Sequence, residues 1–209
     1  MSLAGSRPRQ ACPTRGRPRS EAVERAIVEG VMKLLEDGVP LAELSIERVA
    51  RTAGVGKATI YRRWSGKEEL FVDVMRAAEP PDPELPGTSM RDDLVVLLET
   101  MRRRGLLNRS SMMLHNVYAQ MKSSPKLWAA YEATVIAPRR EAVHEVLRRG
   151  QRNGELCADA DIELVNDIVV GPMVVRAFMR PEAELPEGLA ERIVDTVLVG
   201  LRPVSSTAP

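Results

Sequence analysis

Residues 45–71 read Ser-Ile-Glu-Arg-Val-Ala-Arg-Thr-Ala-Gly-Val-Gly-Lys-Ala-Thr-Ile-Tyr-Arg-Arg-Trp-Ser-Gly-Lys-Glu-Glu-Leu-Phe. The stretch predicts two short helices joined by a glycine-bearing turn, with a third helix following at once. Helix pairs of this kind lay one helix in a DNA groove. Ile46, Val49, Ala50, Ala53, Val55 and Ile60 recur at helical spacing and can glue the pair together. Lys57, Thr59, Tyr61, Arg62 and Arg63 are left facing outward on the second helix, a set rich in hydrogen-bond donors and free of acid.

Upstream, Val23, Ala26, Ile27, Val31, Leu34 and Leu35 form one stripe of a helix from about Glu21 to Asp37, ended by Gly38 and Pro40. Ser45 is a good N-cap for a helix over Ile46–Thr52, Gly54 and Gly56 frame the turn, and the second helix is expected to run about two turns, through Trp64. Lys67 to about Ala78 makes the third, with Leu70, Phe71 and Val74 inward. Pro80, Pro81, Pro83 and Pro86 cannot continue a helix, so a boundary falls there. Beyond it, Leu94, Val95, Leu98 and Met101 share a helical face, and Ser110 to about Lys122 makes another element. Ser124 and Pro125 open a long helix to about Arg152, with a bend expected at Pro138. Asp161 caps a helix that reaches about Met179 across a second expected kink at Gly171-Pro172, and the last helix spans about Glu187 to Leu201. Nothing alternates with period two over a useful length. The fold class is all-α, with about nine helices.

The chain has 209 residues, 44% hydrophobic and 28% charged, which is ordinary for a globular protein. No apolar run approaches the ~18 residues of a membrane span, and the first 20 residues lack the apolar segment of a secretory signal. Cys12 and Cys157 do not make a disulfide framework, so a cytoplasmic location is expected. The net charge of +1 conceals an asymmetry: residues 1–65 hold 12 Lys and Arg against 7 Asp and Glu, and residues 66–209 hold 18 against 22. A basic front and a mildly acidic back fit a protein that meets a polyanion at one end.

Ala53-Gly54-Val55-Gly56-Lys57-Ala58-Thr59-Ile60-Tyr61-Arg62-Arg63-Trp64, followed by Lys67-Glu68-Glu69-Leu70, resembles the signature of TetR-type repressors. Ala137-Pro138-Arg139-Arg140, Gly154-Glu155-Leu156 and Val170-Gly171-Pro172 resemble the C-terminal domain of such regulators. The resemblance implies an N-terminal three-helix DNA-binding domain, here 21–79, and a helical effector-binding and dimerisation domain, here 88–202. It places Ser45, Lys57, Ala58, Thr59, Tyr61, Arg62, Arg63 and Lys67 on DNA. Lys67 and Tyr61 would meet phosphates, Arg63 could fork onto guanine, and Ala58 with the Thr59 methyl could touch thymine. A lysine in the first turn opposes the helix dipole, a conflict that a bound phosphate removes. Arg62 and Arg63 also sit where a helix C-terminus favours cations without any ligand, and Trp64 reads as a plug between helices. Residues 1–20 form a basic arm whose Arg15-Gly16-Arg17-Pro18-Arg19 is similar to the core of an AT-hook, with Arg17 expected in the minor groove or on phosphate.

Seven of the ten methionines lie in residues 90–180. Methionine adapts to irregular apolar molecules, although it also fills gaps in any helical core. Met101, Met112, His115, Asn116, Trp128, Tyr131, Met173 and Arg176 are the candidates for an effector pocket. His115, His144 and Cys157 are too few soft donors for a metal site, no cofactor motif is present, and Arg102-Arg103-Arg104 reads as a solvated helix face. The last helix is apolar around much of its circumference and needs cover on two sides. The resemblance supplies a second subunit, with Val169, Ile193, Val194, Val197 and Leu198 at the interface. The function implied is a homodimeric repressor that binds a pseudopalindromic operator and is released by a small apolar effector. An effector-independent architectural DNA binder of the same fold is the alternative. No nucleophile elbow, phosphate loop or zinc spacing supports an enzyme.

Overall fold

The computed structural model describes residues 17–201, with the side chains of 21–199 apart from Met112, and its regular elements are all helices. Helix α1 (Arg17–Glu36) is followed by a single 3₁₀ turn at Leu41–Glu43, then α2 (Ile46–Thr52), α3 (Lys57–Tyr61) and α4 (Lys67–Ala78). Beyond the proline-rich linker come α5 (Met90–Ser110) and α6 (Met112–Lys122). Two long helices, α7 over 125–152 and α8 over 162–179, each include a wide π-helical turn, at Glu132–Ile136 and Val175–Met179. Helix α9 (Leu189–Leu201) ends the described chain. The nine helices among the described residues agree with the all-α expectation.

Two boundaries differ from expectation. Helix α1 starts at Arg17 rather than about Glu21, inside the stretch expected to be a basic arm; the Arg17 side chain and residues 1–16 lie outside the described residues. Helix α3 stops at Tyr61 rather than Trp64. Its last turn tightens through the bond from Arg63 N to Ile60 O at 2.9 Å, and Trp64 turns into the core, 3% exposed.

A wide turn stands close to each of the two internal prolines. Pro138 has no N–H to give the carbonyl four residues back, and its ring crowds that oxygen. The turn at Glu132–Ile136 opens the backbone just ahead of it, while the turn at Val175–Met179 follows Pro172. Asp161 caps α8 as expected, accepting from Glu163 N at 3.0 Å and Leu164 N at 3.2 Å. Ser124 precedes α7 without a side-chain cap bond.

The apolar core does not divide where the linker does. One cluster joins α1 to α4 with α6 and the front of α7, through Ile27, Ile60, Leu70, Phe71, Met121 and Leu127. The other joins α5, the back of α7, α8 and α9, through Leu94, Leu98, Leu147, Met173 and Val194. Each large apolar side chain so enclosed contributes about 1.5–3 kcal/mol. Helix α6 and the front of α7 thus share one packed core with α4.

Helix α5 is covered on opposite flanks, which corrects the reading of Arg102-Arg103-Arg104. Only Arg103 is exposed. Arg102 is 7% exposed, pairs with Glu99 and donates to Leu185 O at 2.7 Å; Arg104 is 9% exposed and reaches Asp82 and Pro80 O across the linker. Gly105 lets α8 approach, since a Cβ there would lie 2.6 Å from that of Ala177.

Candidate nucleic-acid interface

The turn between α2 and α3 is built from the backbone outward. Ser45 Oγ accepts Arg48 N at 3.3 Å and starts α2. At the other end Val55 N donates to Ala50 O at 2.9 Å and Gly54 N to Arg51 O at 3.4 Å, while Gly54 takes φ +66°. This is a Schellman stop, which leaves Gly54 in the left-handed region that glycine adopts without strain. Gly56, at φ −76°, is under no such demand. Five residues are too few to hold α3 as an isolated helix; buried Ile60, packed in one cluster with Val49 and Ala50, holds it in place.

The expected residues separate into those on the open face and those turned back. Lys57, Ala58, Tyr61 and Arg62 are exposed and Thr59 is half-buried. Lys57 pairs with exposed Glu47, whose carboxyl its hydrogen bond holds below the usual range; so exposed a pair exchanges partners cheaply. Arg63 departs from expectation. It is half-buried, and its Nη1 donates to Thr59 O at 3.1 Å, so the guanidinium lies on the C-terminal carbonyls of its own helix, where a cation is favoured, instead of projecting as a free fork. Trp64 is the plug the sequence suggested, with Nε1 donating to Asp73 Oδ2 at 2.8 Å.

Lys67 is exposed at the first position of α4 behind Gly66, which offers no side-chain cap. Glu69 reaches back to Ser65 N and Oγ, both at 2.7 Å. The first amides of a helix have no intrahelical acceptor, so an anion beside Lys67 meets both charge and N–H groups. Arg51, exposed in the last turn of α2 beside the Gly54 turn, was missed by the sequence reading. Its signal was Arg48 and Arg51 at i,i+3 spacing on the first helix of the pair.

The effector candidates do not converge. His115 and Asn116 face solvent, and Trp128 and Tyr131 belong with the front cluster. Met101 and Met173 belong with the rear one. Half-buried Arg176 contributes its carbonyl to Arg109, and the Met112 side chain lies outside the described residues. An apolar crevice between α1, α4, α6 and α7 is too narrow for a water molecule, and a wider open cleft of about 610 Å³ lies beside the linker. None of the other seven candidates lines either. Methionine and aromatic side chains serve core filling and ligand contact alike, so their pattern alone does not single out a pocket.

The interface candidates need a similar correction. Val169 and Val194 are wholly enclosed by their own chain, Ile193 and Leu198 are 9% exposed, and Val197 is half-buried. Helix α9 spends that face on α5 and α8. What remains open is a stripe on α8, with Leu164 56%, Ile168 43% and Val175 40% exposed, together with Val199 on α9 at 73%.

A short donor-bearing helix seated across a Schellman turn, on a larger helical body, defines a helix-turn-helix DNA-binding regulator. The chain belongs to the TetR family: residues 37–74 match the bacterial regulatory proteins of the tetR family, and residues 86–197 match the Tetracyclin repressor-like C-terminal domain. It is 28% identical to the HTH-type transcriptional regulator YdeS of Bacillus subtilis, over 92% of this chain and 96% of that one. It is 27% identical to the DNA-binding transcriptional repressor TetR of Mycobacteroides abscessus, over 90% and 95%. Among solved structures, the TetR family transcription regulator SCO0332 superposes with a TM-score of 0.59 at 24% identity, over 87% of this chain and 99% of that one, a likeness of fold. No helix among the described residues is long and apolar enough to cross a membrane.

Proposed function

We propose that this TetR-family chain is an operator-binding repressor that works as a homodimer and is released by a small molecule. The observation that carries the DNA-reading part is the division of α2, α3 and α4 into a buried apolar side and an open side bearing Arg51, Lys57, Ala58, Tyr61, Arg62 and Lys67. Lys57, Ala58 and Thr59 would meet base edges, with Tyr61, Lys67, Ser45 and Arg51 on backbone, and Arg63 would act by holding the end of α3. Arg17, at the start of α1, would add a minor-groove or phosphate contact. Two such units read two half-sites about one helical turn apart, which requires a two-fold contact. The open stripe Leu164, Ile168 and Val175 fits that contact better than the residues first expected.

Selection of bound duplexes from a random pool tests the reading. Enrichment of an inverted repeat with half-site centres about 10 base pairs apart supports it. A bound pool without a shared motif would instead favour the effector-independent architectural binder, a reading to which the tightly closed front crevice lends weight.

A further inference from the structure

The linker carries a charge cluster that DNA reading does not use. Glu79, just past α4, has its side chain 4% exposed; Tyr131 Oη donates to its Oε1 at 3.1 Å and Arg139 Nη2 to its Oε2 at 2.8 Å. Asp82, on the proline-rich linker and 61% exposed, accepts on a single oxygen from Arg104 Nη2 at 2.6 Å and Arg139 Nε at 3.0 Å. The open cleft of about 610 Å³ reaches Glu79, Asp82 and Arg139 and offers Val28, Pro80 and Pro81 as apolar wall.

We infer that this cleft is a binding site for an amphiphilic carboxylate, whose head group takes the position on Arg104 and Arg139 that Asp82 now fills as an internal stand-in. Two guanidiniums meeting on one oxygen of an exposed linker residue make a carboxylate cradle that a free ligand can contest from solvent. At its buried end Arg104 is turned toward Glu79. Arg104 Nε is buried without a hydrogen bond, 3.5 Å from Glu79 Oε2, and the Arg104 side chain is 9% exposed. Of the acids on the cleft wall, Glu79 has both oxygens engaged and Asp73 accepts from Trp64, which leaves Glu24 as the acid a cation would seek and makes the amine the deciding comparison. Burial raises the Asp82 carboxyl, but the bond from Arg104 and the charges of Arg139 and Arg104 outweigh it and hold the group below its usual value, so it competes as an anion. Displacing Asp82 frees the segment directly behind α4. As regulation, this rests on the effector-released repressor proposed above.

Calorimetric titration of the full chain with 4-phenylbutyrate, 4-phenylbutylamine and 4-phenylbutanol, three heads on one body, tests the site. Only the carboxylate should bind. Asp82→Asn, at an exposed position, should tighten it about tenfold by removing the competitor; Arg139→Gln should abolish it and Arg139→Lys restore part. Equal binding of the amine, indifference to Asp82→Asn, or no carboxylate binding even to Asp82→Asn overturns the site. If Arg139→Gln does not fold, Asp82→Asn decides. Fluorescence anisotropy of a labelled selected duplex separates the two readings. Release by a compound whose action ignores Asp82 and Arg139 keeps the repressor reading and sinks this site; carboxylate binding that obeys both variants without release keeps the site and sinks its regulatory role.

Discussion

Lys67 opens α4 as an exposed cation where the helix dipole disfavours one, and a phosphate resolves that conflict. Lys67→Ala should therefore weaken binding to all duplexes alike and reduce the slope of log affinity against log salt by about one. An unchanged slope in anisotropy titrations would remove Lys67 from the phosphate contacts. Tyr131 gives a second test. Burial first, then the negative Glu79, pushes its phenol above the usual 10 against the opposing pull of Arg139. A raised folded-state value means that this contribution to stability is intact below pH 10 and is lost as pH climbs beyond it. Urea midpoints should fall more steeply above about pH 10 in the natural chain than in Tyr131→Phe; parallel curves would show that the phenol plays no part. At this scale the sequence was legible where one backbone demand selects a residue, as at Ser45, Gly54 and Asp161. It was illegible for Arg63, Arg102 and Arg104, since a guanidinium on a surface and one folded onto a carbonyl share the same letter.

Helix existence and nearly every terminus could be read from capping, proline and apolar spacing, because those signals act within one turn. Helix α4 begins and ends where they place it. What spacing cannot tell is which neighbour covers an apolar face. Helix α9 is apolar enough to need two partners, and the face first assigned to a second subunit is the one that its own α5 and α8 enclose. The stripe on α8 then separates two mutational outcomes. Ile168→Glu should leave a folded chain and shift it from dimer to monomer in sedimentation velocity. Val194→Ala should cost about 2 kcal/mol of stability and leave the sedimentation coefficient unchanged under native conditions. A monomer from Val194→Ala, or a persisting dimer from Ile168→Glu, would return the interface to α9.

Across the whole molecule, the front core runs past the linker into α6 and α7, and the Glu79, Asp82, Arg104 and Arg139 cluster ties the same joint with charge. The DNA-reading helices are therefore packed as one body with part of the helical half, a division that the prolines of the linker did not announce. In the homodimer proposed above, a front packed in this way would set the distance between two copies of α3, the property on which reading two half-sites would depend. The most direct test is a hydroxyl-radical footprint of the full chain on its selected duplex. Two protected patches on one face, centred about 10 base pairs apart, are predicted; a single patch, or uniform protection along the duplex, would contradict the account.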